Sequence, residues 1–565
     1  IASLNLSGAG SNIITATAGD LTLPAVTDTA TITELGLIGE AITLAAVTLD
    51  NDTANLLDID LDGAGDGGAK TLTAAGAINV GQLTVDGQNS DDVMNFGSTV
   101  TTTGTSIAIA TADTVDFDAD VLAANGLTIA TVATDIDLGA NVDLTATAGN
   151  ITANSAVALI NLSGVGTNKV TAGGDINLAA VADGANIAEL EIQGEAITLA
   201  GIALNNGGTS LLDINLDGAA DGGAKTLDIN GDVSVVSLTV DGQTDDVINL
   251  GANADLTTTT SGIDLDNGIV GIVLDGAGSN LLTSAADISL AAVTDSAAIV
   301  ELELNAQTGI TLAGVELNNG GASLLDIDLD EGADGVGTVL DINGDVTVVS
   351  LTLDAQNDDV INLGANADLT ATTSAIDLNN GIISIVLDGV GSNLFTSASD
   401  ITLAAVTDSA NIAELELNGE NINLAAITLN NSGANLLDVN LDGATDGGVK
   451  TLALTGNLLV GTMTLDGQNS DDTITIPVDI DITASNGNLD LDNTIGAISL
   501  TGTAGENEIK TTGGTGDISI GAVGNTGTAS DLIVTTASAT TSGDITINGA
   551  VTGVGYVTIN AGSTS

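Results

Sequence analysis

Aspartates crowd into one short turn that recurs four times along the chain. The turn Asp86-Gly-Gln-Asn-Ser-Asp91-Asp92 returns with small changes at residues 241–246, 354–359 and 466–472. A hard cation such as Ca²⁺ prefers several oxygen ligands, which carboxylates supply. An Asp-Gly turn can also be chosen for its backbone conformation alone. The sequence predicts candidate calcium turns with these ligands: Asp86, Asp91, Asp92, Asp241, Asp245, Asp246, Asp354, Asp358, Asp359, Asp466, Asp471 and Asp472.

A second, weaker candidate is the segment that runs from Asp58 through Asp60 and Asp62 to Asp66. These residues match ligand positions 1, 3, 5 and 9 of an EF-hand loop, but position 12 is Ala69 instead of the required Glu. The alternative is a strand in which Ile59 and Leu61 point inward while the aspartates line the outer face. Such a face stacks carboxylates at about 4.8 Å from coil to coil, so we expect it to need cations.

Catalysis is not expected, because the residues that commonly perform it are missing. The chain has no His and no Cys, and its five basic residues are all lysines: Lys70, Lys169, Lys225, Lys450 and Lys510. A polysaccharide lyase needs a basic residue near the abstracted proton, and a two-carboxylate hydrolase would lack aromatic residues to stack on sugars. Lys70, Lys225 and Lys450 occupy equivalent positions in the repeats, which predicts a repeated local ion pair.

The overall composition indicates a folded, acidic protein with a narrow interior. The net charge is -70, yet 43% of the 565 residues are hydrophobic and only 1% are aromatic. This aliphatic content favours a buried core over disorder, and the scarcity of aromatics favours a thin one. With no arginine, neither nucleic acid nor an anionic membrane is expected as a partner. No apolar run reaches the roughly 20 residues that cross a bilayer, so we expect a soluble segment.

Internal repetition is the strongest signal in the chain. Leu-Leu-Asp-Ile-Asp-Leu-Asp at Leu56 returns at Leu211, Leu324 and Leu436, with offsets of 155, 113 and 112 residues. An opening signature, Leu-x-Gly-x-Gly-x-Asn, ends at Asn12, Asn168, Asn280 and Asn393, with a variant that ends at Asn507. The predicted modules are 1–156, 157–269, 270–382, 383–495 and a partial module 496–565.

The first module is longer because it contains an insertion, placed at about Asn95 to Asp137. An insertion in a stack of coils is expected to contain whole coils, since a fraction would disturb the register of later apolar residues. Two coils in the insertion and five in each module both give roughly 22 residues per coil.

The local pattern predicts an all-β fold. Segments such as Asp287-Ile-Ser-Leu alternate polar and aliphatic residues, as strands with one buried face do. Sandwiches favour a buried aromatic residue and longer strands, so a parallel β-helix (β-solenoid) fits better. Roughly 26 coils at about 4.8 Å would form one continuous rod on the order of 120 Å long.

Several phrases resemble filamentous-haemagglutinin-type exoproteins and other bacterial "beta strand repeat" adhesins. They begin at Gly19, Gly174, Gly516 and Gly543 and share the pattern Gly-Asp-(Leu/Ile)-x-(Leu/Ile). The resemblance covers the whole chain, and it implies a right-handed β-helix that is exported to the cell surface for adhesion or matrix formation.

Two structural functions follow from these observations as expectations. The first is an extracellular fibre of the cell surface or matrix, built by end-to-end and possible lateral self-association of acidic rods and stabilised by divalent cations. The second is an adhesin stalk that presents a binding domain outside this segment. Remote alternatives are an ice-binding surface, suggested by threonine runs such as 99–103 and 257–260, and a polysaccharide-active β-helix. Because the chain begins at Ile1, we expect a processed form or an internal piece.

Overall fold

The regular structure of the protein consists of β-strands. The computed structural model describes residues 2–561, except for residues 18, 53, 62–67, 88, 208, 217–222, 330–336, 432–433, 442–447, 468, 514–515, 528–529 and 537–542. Within these residues the chain forms no helix, and accordingly none that is long and apolar enough to span a membrane. The all-β prediction is confirmed.

Most strands are short and alternate between buried and outward side chains. In Leu324–Asp328, for example, Leu325 and Ile327 are buried while Asp326 and Asp328 face outward. This alternation follows from the two-residue repeat of an extended chain. The chain therefore places its aliphatic residues in a core and its acidic residues on the surface without needing long strands.

The chain divides into two compact units, residues 1–276 with 280–284, and residues 277–279 with 285–565. In the first unit, consecutive strands belong in turn to three parallel ladders, and every pairing between the described strands is parallel. Ladder 1 contains Ser3–Leu6, Ala25–Asp28, Val47–Thr48, Ile78–Val80, Val100–Thr102, Val121–Ala123, Asp143–Ala146, Thr167–Ala172, Glu189–Gln193, Leu211–Asn215 and Ser237–Asp241. Ladder 2 contains Gly10–Thr15, Ile32–Ile38, Leu56–Asp60, Gln82–Asp86, Ile107–Phe117, Leu127–Leu138, Ile151–Ala153, Ile176–Leu178, Ala196–Leu199, Thr226–Ile229, Asp246–Gly251 and Ile269–Asp275. Ladder 3 contains Asp20–Leu23, Ala41–Leu44, Thr71–Ala74, Val93–Phe96, Ile160–Leu162, Val181–Asp183, Ile202–Leu204, Val233–Val235 and Leu256–Thr258.

The second unit repeats this arrangement with three parallel ladders of its own. Ladder 4 contains Asp287–Leu290, Gly309–Leu312, Val339–Ile342, Asp359–Gly364, Ile382–Asp388, Ala405–Asp408, Ile427–Thr428, Leu458–Val460, Ile482–Ala484, Glu506–Thr511, Asp531–Thr536 and Val557–Ala561. Ladder 5 contains Ala292–Asp295, Val315–Leu317, Val346–Val348, Leu369–Ala371, Ser392–Ser397, Glu414–Asn418, Leu436–Asn440, Thr462–Asp466, Leu489–Asn493, Ile518–Ile520 and Ile545–Ile547. Ladder 6 has two parts, Glu301–Ala306, Leu324–Asp328 and Ser350–Asp354, followed by Ile376–Leu378, Ile401–Leu403, Asn421–Leu424, Thr451–Leu454, Asp472–Pro477, Ile495–Thr501, Ala522–Asn525 and Val551–Thr552.

These ladders form a β-solenoid, as predicted from the repeats. The described strands make about 22 turns with equivalent residues about 23 positions apart, which is close to the roughly 22 residues expected per coil. The number of turns is lower than the expected roughly 26 because some turns carry long loops. Ile197, for example, is in register with Leu227, 30 residues later.

The core is aliphatic except for three buried phenylalanines, Phe96, Phe117 and Phe395. Phe96 and Phe117 stack with ring centroids 5.1 Å apart. Phe117 ends one of the two longest described strands, Ile107–Phe117 and Leu127–Leu138, which both lie in the segment where the sequence placed the insertion. Each of these strands is long enough to contribute to both ladder 2 and ladder 3.

A module does not contain a whole number of turns, contrary to the expectation of five coils. Leu324–Asp328 lies in ladder 6, but its equivalent Leu436–Asn440 lies in ladder 5. Among the described residues, the strands from Val339–Ile342 to Leu436–Asn440 number fourteen, which is four turns of three plus two. Register is preserved because all three ladders alternate in the same way, so a shift by one ladder keeps every apolar residue inside.

The asparagine that ends the opening signature is buried and binds the preceding coil. Asn393 Nδ2 donates to the carbonyls of Gly364 at 2.9 Å and Ala367 at 3.1 Å. Asn168, Asn280 and Asn507 make equivalent pairs of bonds. Asn12 instead bonds only to Gly10, at 3.4 Å. The signature thus encodes a side-chain clasp between successive coils.

We expect Asn393→Ala to lower the free energy of unfolding by about 1 to 3 kcal/mol, because two buried carbonyls lose their donor. Asn12→Ala is the matched control and should change it by less than about 0.5 kcal/mol. Urea denaturation of both variants measures the difference. Equal effects of the two substitutions would contradict the clasp.

Candidate functional site

The outer surface carries rows of acidic side chains that are stacked by the strand register. In the third repeat, Glu303 is in register with Asp326, and Asp328 is in register with Asp354. The other repeats show the same geometry; the acidic rows, as we name them, are Asp60–Asp86, Glu191–Asp213, Glu303–Asp326, Asp328–Asp354 and Glu416–Asp438. The outward placement predicted for Asp58 and Asp60, with Ile59 and Leu61 buried, is confirmed.

Burial and, to a smaller extent, repulsion between like charges make three carboxylates in or beside these rows harder to ionise. Burial raises the pKa of Asp326, and repulsion from Glu301, Glu303, Asp328 and Asp354 raises it further. Burial likewise raises the pKa of Asp213, with repulsion from Glu189, Glu191 and Asp241 and a smaller opposing effect of Lys169. The pKa of Glu414 is raised by burial and by Glu416 and Asp438. Asp326, Asp213 and Glu414 therefore hold protons more readily than isolated carboxylates do.

Neutral donors relieve part of this repulsion. Thr464 Oγ1 donates to Asp438 Oδ1 at 2.5 Å, and Thr84 makes the equivalent bond to Asp58. Elsewhere on ladder 2, Asn249 Nδ2 donates to Asp228 at 2.6 Å, and on ladder 4 Asn362 Nδ2 donates to Asp341 at 2.7 Å. Alternation of acids with Thr and Asn along a ladder separates some of the negative charges.

The three aspartates of each candidate calcium turn lie in three different environments. The first, such as Asp466, is on the outer face at the end of a strand, and the second, Asp471, is exposed. The third, Asp472, is buried, and its two carboxylate oxygens accept the backbone N–H of Lys450 at 2.8 Å and of Asn469 at 3.2 Å. Asp246 and Asp359 are held in the same way. The third aspartate thus fastens its turn to the preceding coil.

Burial raises the pKa of Asp92, the corresponding residue of the first turn, while hydrogen bonds from the backbone at Lys70 and Asn89 oppose this. Asp92 Oδ1 accepts the N–H of Lys70 at 2.8 Å.

In the part of the chain that the structure describes, no group of three acidic side chains is arranged to hold a metal ion. Calcium at these turns stays a prediction, and it would have to use the outer aspartates rather than the buried ones. Asp62 and Asp66 lie outside the described residues.

Lys70, Lys225 and Lys450 are buried at equivalent positions. Lys450 Nζ lies 3.0 Å from Glu420 Oε1. The backbone N–H of each lysine is the donor that the buried turn aspartate of the next coil accepts. This position therefore supplies both a compensating positive charge and a main-chain contact.

A second set of buried aspartates was missed by sequence reasoning. Asp183 accepts the backbone N–H groups of Asn205 at 3.2 Å and Asn206 at 3.1 Å. Asp28, Asp295 and Asp408 receive equivalent bonds from the Asn-rich turn of the next coil. The available signal was the recurrence of Val-x-Asp and, about 22 residues later, of Leu-(Asn/Asp)-Asn at fixed offsets. These aspartates are structural clasps, which accounts for part of the acidic composition.

Comparison with known proteins gives no assignment, since no protein-family model, no curated protein and no solved structure matches the chain. The chain is a β-solenoid repeat protein.

We expect the protein to become less stable at low salt as pH rises from about 4 through the raised pKa values of Asp326, Asp213 and Glu414. The cited carboxylates have folded pKa values above their ordinary values of 3.8 or 4.5. The folded state therefore binds more protons than the unfolded state, and the stability gained from this is lost as pH rises through the folded pKa values. Thermal unfolding across this range measures the effect, and high salt should flatten it by screening. A midpoint that rises with pH at low salt would contradict it.

Substitution can distinguish the role of the buried turn aspartate from that of the exposed one. Asp472→Asn should lower the free energy of unfolding by about 1 to 3 kcal/mol with or without calcium, because an amide nitrogen would face a backbone N–H. Asp471→Asn should leave the stability without calcium unchanged within about 0.5 kcal/mol. Thermal unfolding with calcium and with chelator measures both. If Asp472→Asn loses no stability in chelator, the assigned clasp is wrong.

Proposed function

We propose that this chain is a structural protein of an extracellular surface or matrix fibre, assembled end to end from acidic β-solenoid segments and stabilised by divalent cations. The resemblance to bacterial repeat adhesins supports the extracellular setting. The described acidic side chains form rows along the ladders rather than one convergent site, which suits a scaffold better than catalysis.

The observation that carries the proposal is the register of the acidic rows, which repeats carboxylates from coil to coil and suits an assembly controlled by cations. Within the proposal, the contact between copies is assigned to the apolar edge of the coil that contains Val557–Ala561. Val557 and Ile559 are in register with Leu532 and Val534, which are fully buried. Within the described residues, Val557 is 39% exposed and Ile559 52% exposed. A coil placed on this edge would bury both side chains and pair the open strand edge. The proposal assigns that role to another copy of the chain.

The first described coil offers a complementary edge. Leu4, Ile14 and Leu21 are half-buried, whereas the residues in register with them, Val26, Leu37 and Ile42, are almost fully buried. In the proposed assembly these two apolar edges would meet. Parallel strands stacked edge to edge would continue the ladders from one copy to the next.

Charge opposes such assembly and explains the expected role of cations. A net charge of -70 repels other copies in dilute buffer. Divalent ions held near the acidic rows would reduce this repulsion, and monovalent salt would do so less effectively at equal ionic strength.

Electron microscopy of the purified protein, with calcium and then with chelator, tests the proposal. We expect filaments of uniform width with calcium and shorter or frayed filaments with chelator. Ile559→Asp should abolish the filaments, because a charge would be buried at the contact.

Val390→Asp is the matched control, since Val390 is 73% exposed and distant in sequence from the last coil. It should leave the filaments intact. Single particles in both buffers would overturn end-to-end assembly and leave the stalk of an adhesin as the remaining structural function. Filaments that persist in Ile559→Asp would show that this edge is not the contact.

A further inference from the structure

Each unit contains one place where a ladder is interrupted. In the first unit, Ser237–Asp241 and Ile263–Leu265 occupy equivalent places in two successive coils, but they do not pair as a ladder. In the second unit, the same is true of Ser350–Asp354 and Ile376–Leu378. All these residues are described, and in both cases Cα atoms of the two strands still approach within 8 Å. The strands are therefore splayed and leave no room for another strand between them.

The strand sequences alone do not cause the interruption. Leu-Thr-Val-Asp at 83–86 is identical to that at 238–241. The first copy pairs with the next coil, with Leu83 in register with Ile107. The equivalent strand of the fourth repeat also pairs, with Met463 in register with Leu489. What differs between the two classes is the partner strand and the residues that flank the strand.

The residue that immediately precedes the strand distinguishes the two classes. It is Gly81 or Gly461 where the ladder is continuous, and Val236 or Val349 where it is interrupted. A Cβ atom at Gly461 would lie 2.1 Å from the carbonyl oxygen of Ala434 in the preceding coil. A valine at this corner must therefore displace the chain, and the strand that follows it is displaced as well.

The contacts that remain across each interruption lie at its ends. Thr260 N–H donates to Val236 O at 3.1 Å, and Thr373 N–H to Val349 O at 3.1 Å. In the second unit the N–H of Leu351 is taken by Ser374 Oγ at 3.3 Å instead of by a strand partner. An open crevice lies beside it, lined by Leu351, Thr352, Leu353, Asp377, Asn379 and Asn380.

We propose that these valine corners are built-in opening points, at which the coil stack of each unit bends or separates first. In a solenoid each coil is held only by its neighbours, so a local loss of ladder bonds lowers the cost of separating that one pair of coils. The other two ladders continue past the interruption in the first unit, where Asp228 is in register with Asn249 and Ser234 with Thr257. The interruption is thus a partial opening within an otherwise continuous stack.

Hydrogen exchange of the intact protein tests this with internal controls. We expect amides in 351–353 and 376–378 to exchange on the order of 10-fold faster than those in 463–465 and 489–491. The same difference should separate 238–240 and 263–265 from 83–85 and 107–109. Equal protection of the interrupted and continuous pairs would overturn the proposal.

Exchanging the corner residues tests the cause. Val349→Gly should slow exchange in 351–353 and 376–378 on the order of 10-fold, and Gly461→Val should accelerate it in 463–465 and 489–491 by a similar factor. If Gly461→Val does not fold, Val349→Gly still tests the cause, because this substitution removes a side chain and adds no clash. Unchanged exchange in Val349→Gly would show that the corner does not control the opening.

Discussion

The structure depends on one constraint, the parallel stacking of equivalent residues at the spacing of hydrogen-bonded strands. Each residue of a ladder lies about 4.8 Å from its equivalent in the next coil, so whatever one coil places inside or outside is repeated by its neighbours. Inside, this produces continuous aliphatic columns such as Leu417, Val439 and Leu465. Outside, it places carboxylate beside carboxylate, and the surface chemistry follows from the same geometry as the core.

The acidic composition therefore has two separate origins. Buried aspartates such as Asp183 and Asp472 accept backbone N–H groups from adjacent coils and fasten the turns. Outward residues such as Asp326 have no such donors from the backbone and repel one another. Removing acids at random would thus have opposite effects at the two kinds of position, because one kind stabilises the stack and the other opposes it.

Sequence reasoning identified the fold class because alternation and repetition are direct consequences of stacked strands. It also placed Ile59 inward and Asp58 outward correctly. It could not identify the ladder to which a strand belongs, because all three ladders share the same alternation, and so the whole-coil module was wrong. It missed Asp28 and Asp183 as clasps because the recurring Val-x-Asp and Leu-(Asn/Asp)-Asn phrases do not by themselves show that the aspartate is buried or that the Asn-rich turn donates its backbone N–H groups to it. The interruption after Val349 depends on a close approach between neighbouring coils. At the equivalent position of the fourth repeat, a Cβ atom on Gly461 would lie 2.1 Å from the carbonyl oxygen of Ala434, and this distance becomes visible only in the structure.

The shift of ladder between modules gives the charge a helical distribution. In the first unit, Asp60–Asp86 lies on ladder 2 but Glu191–Asp213 lies on ladder 1. In the second, Glu303–Asp326 lies on ladder 6 but Glu416–Asp438 on ladder 5. The acidic rows of each unit therefore lie on more than one ladder instead of sharing one side of that unit. A molecule lying alongside one ladder of a unit therefore faces only a fraction of that unit's rows, and side-by-side repulsion is spread over all directions.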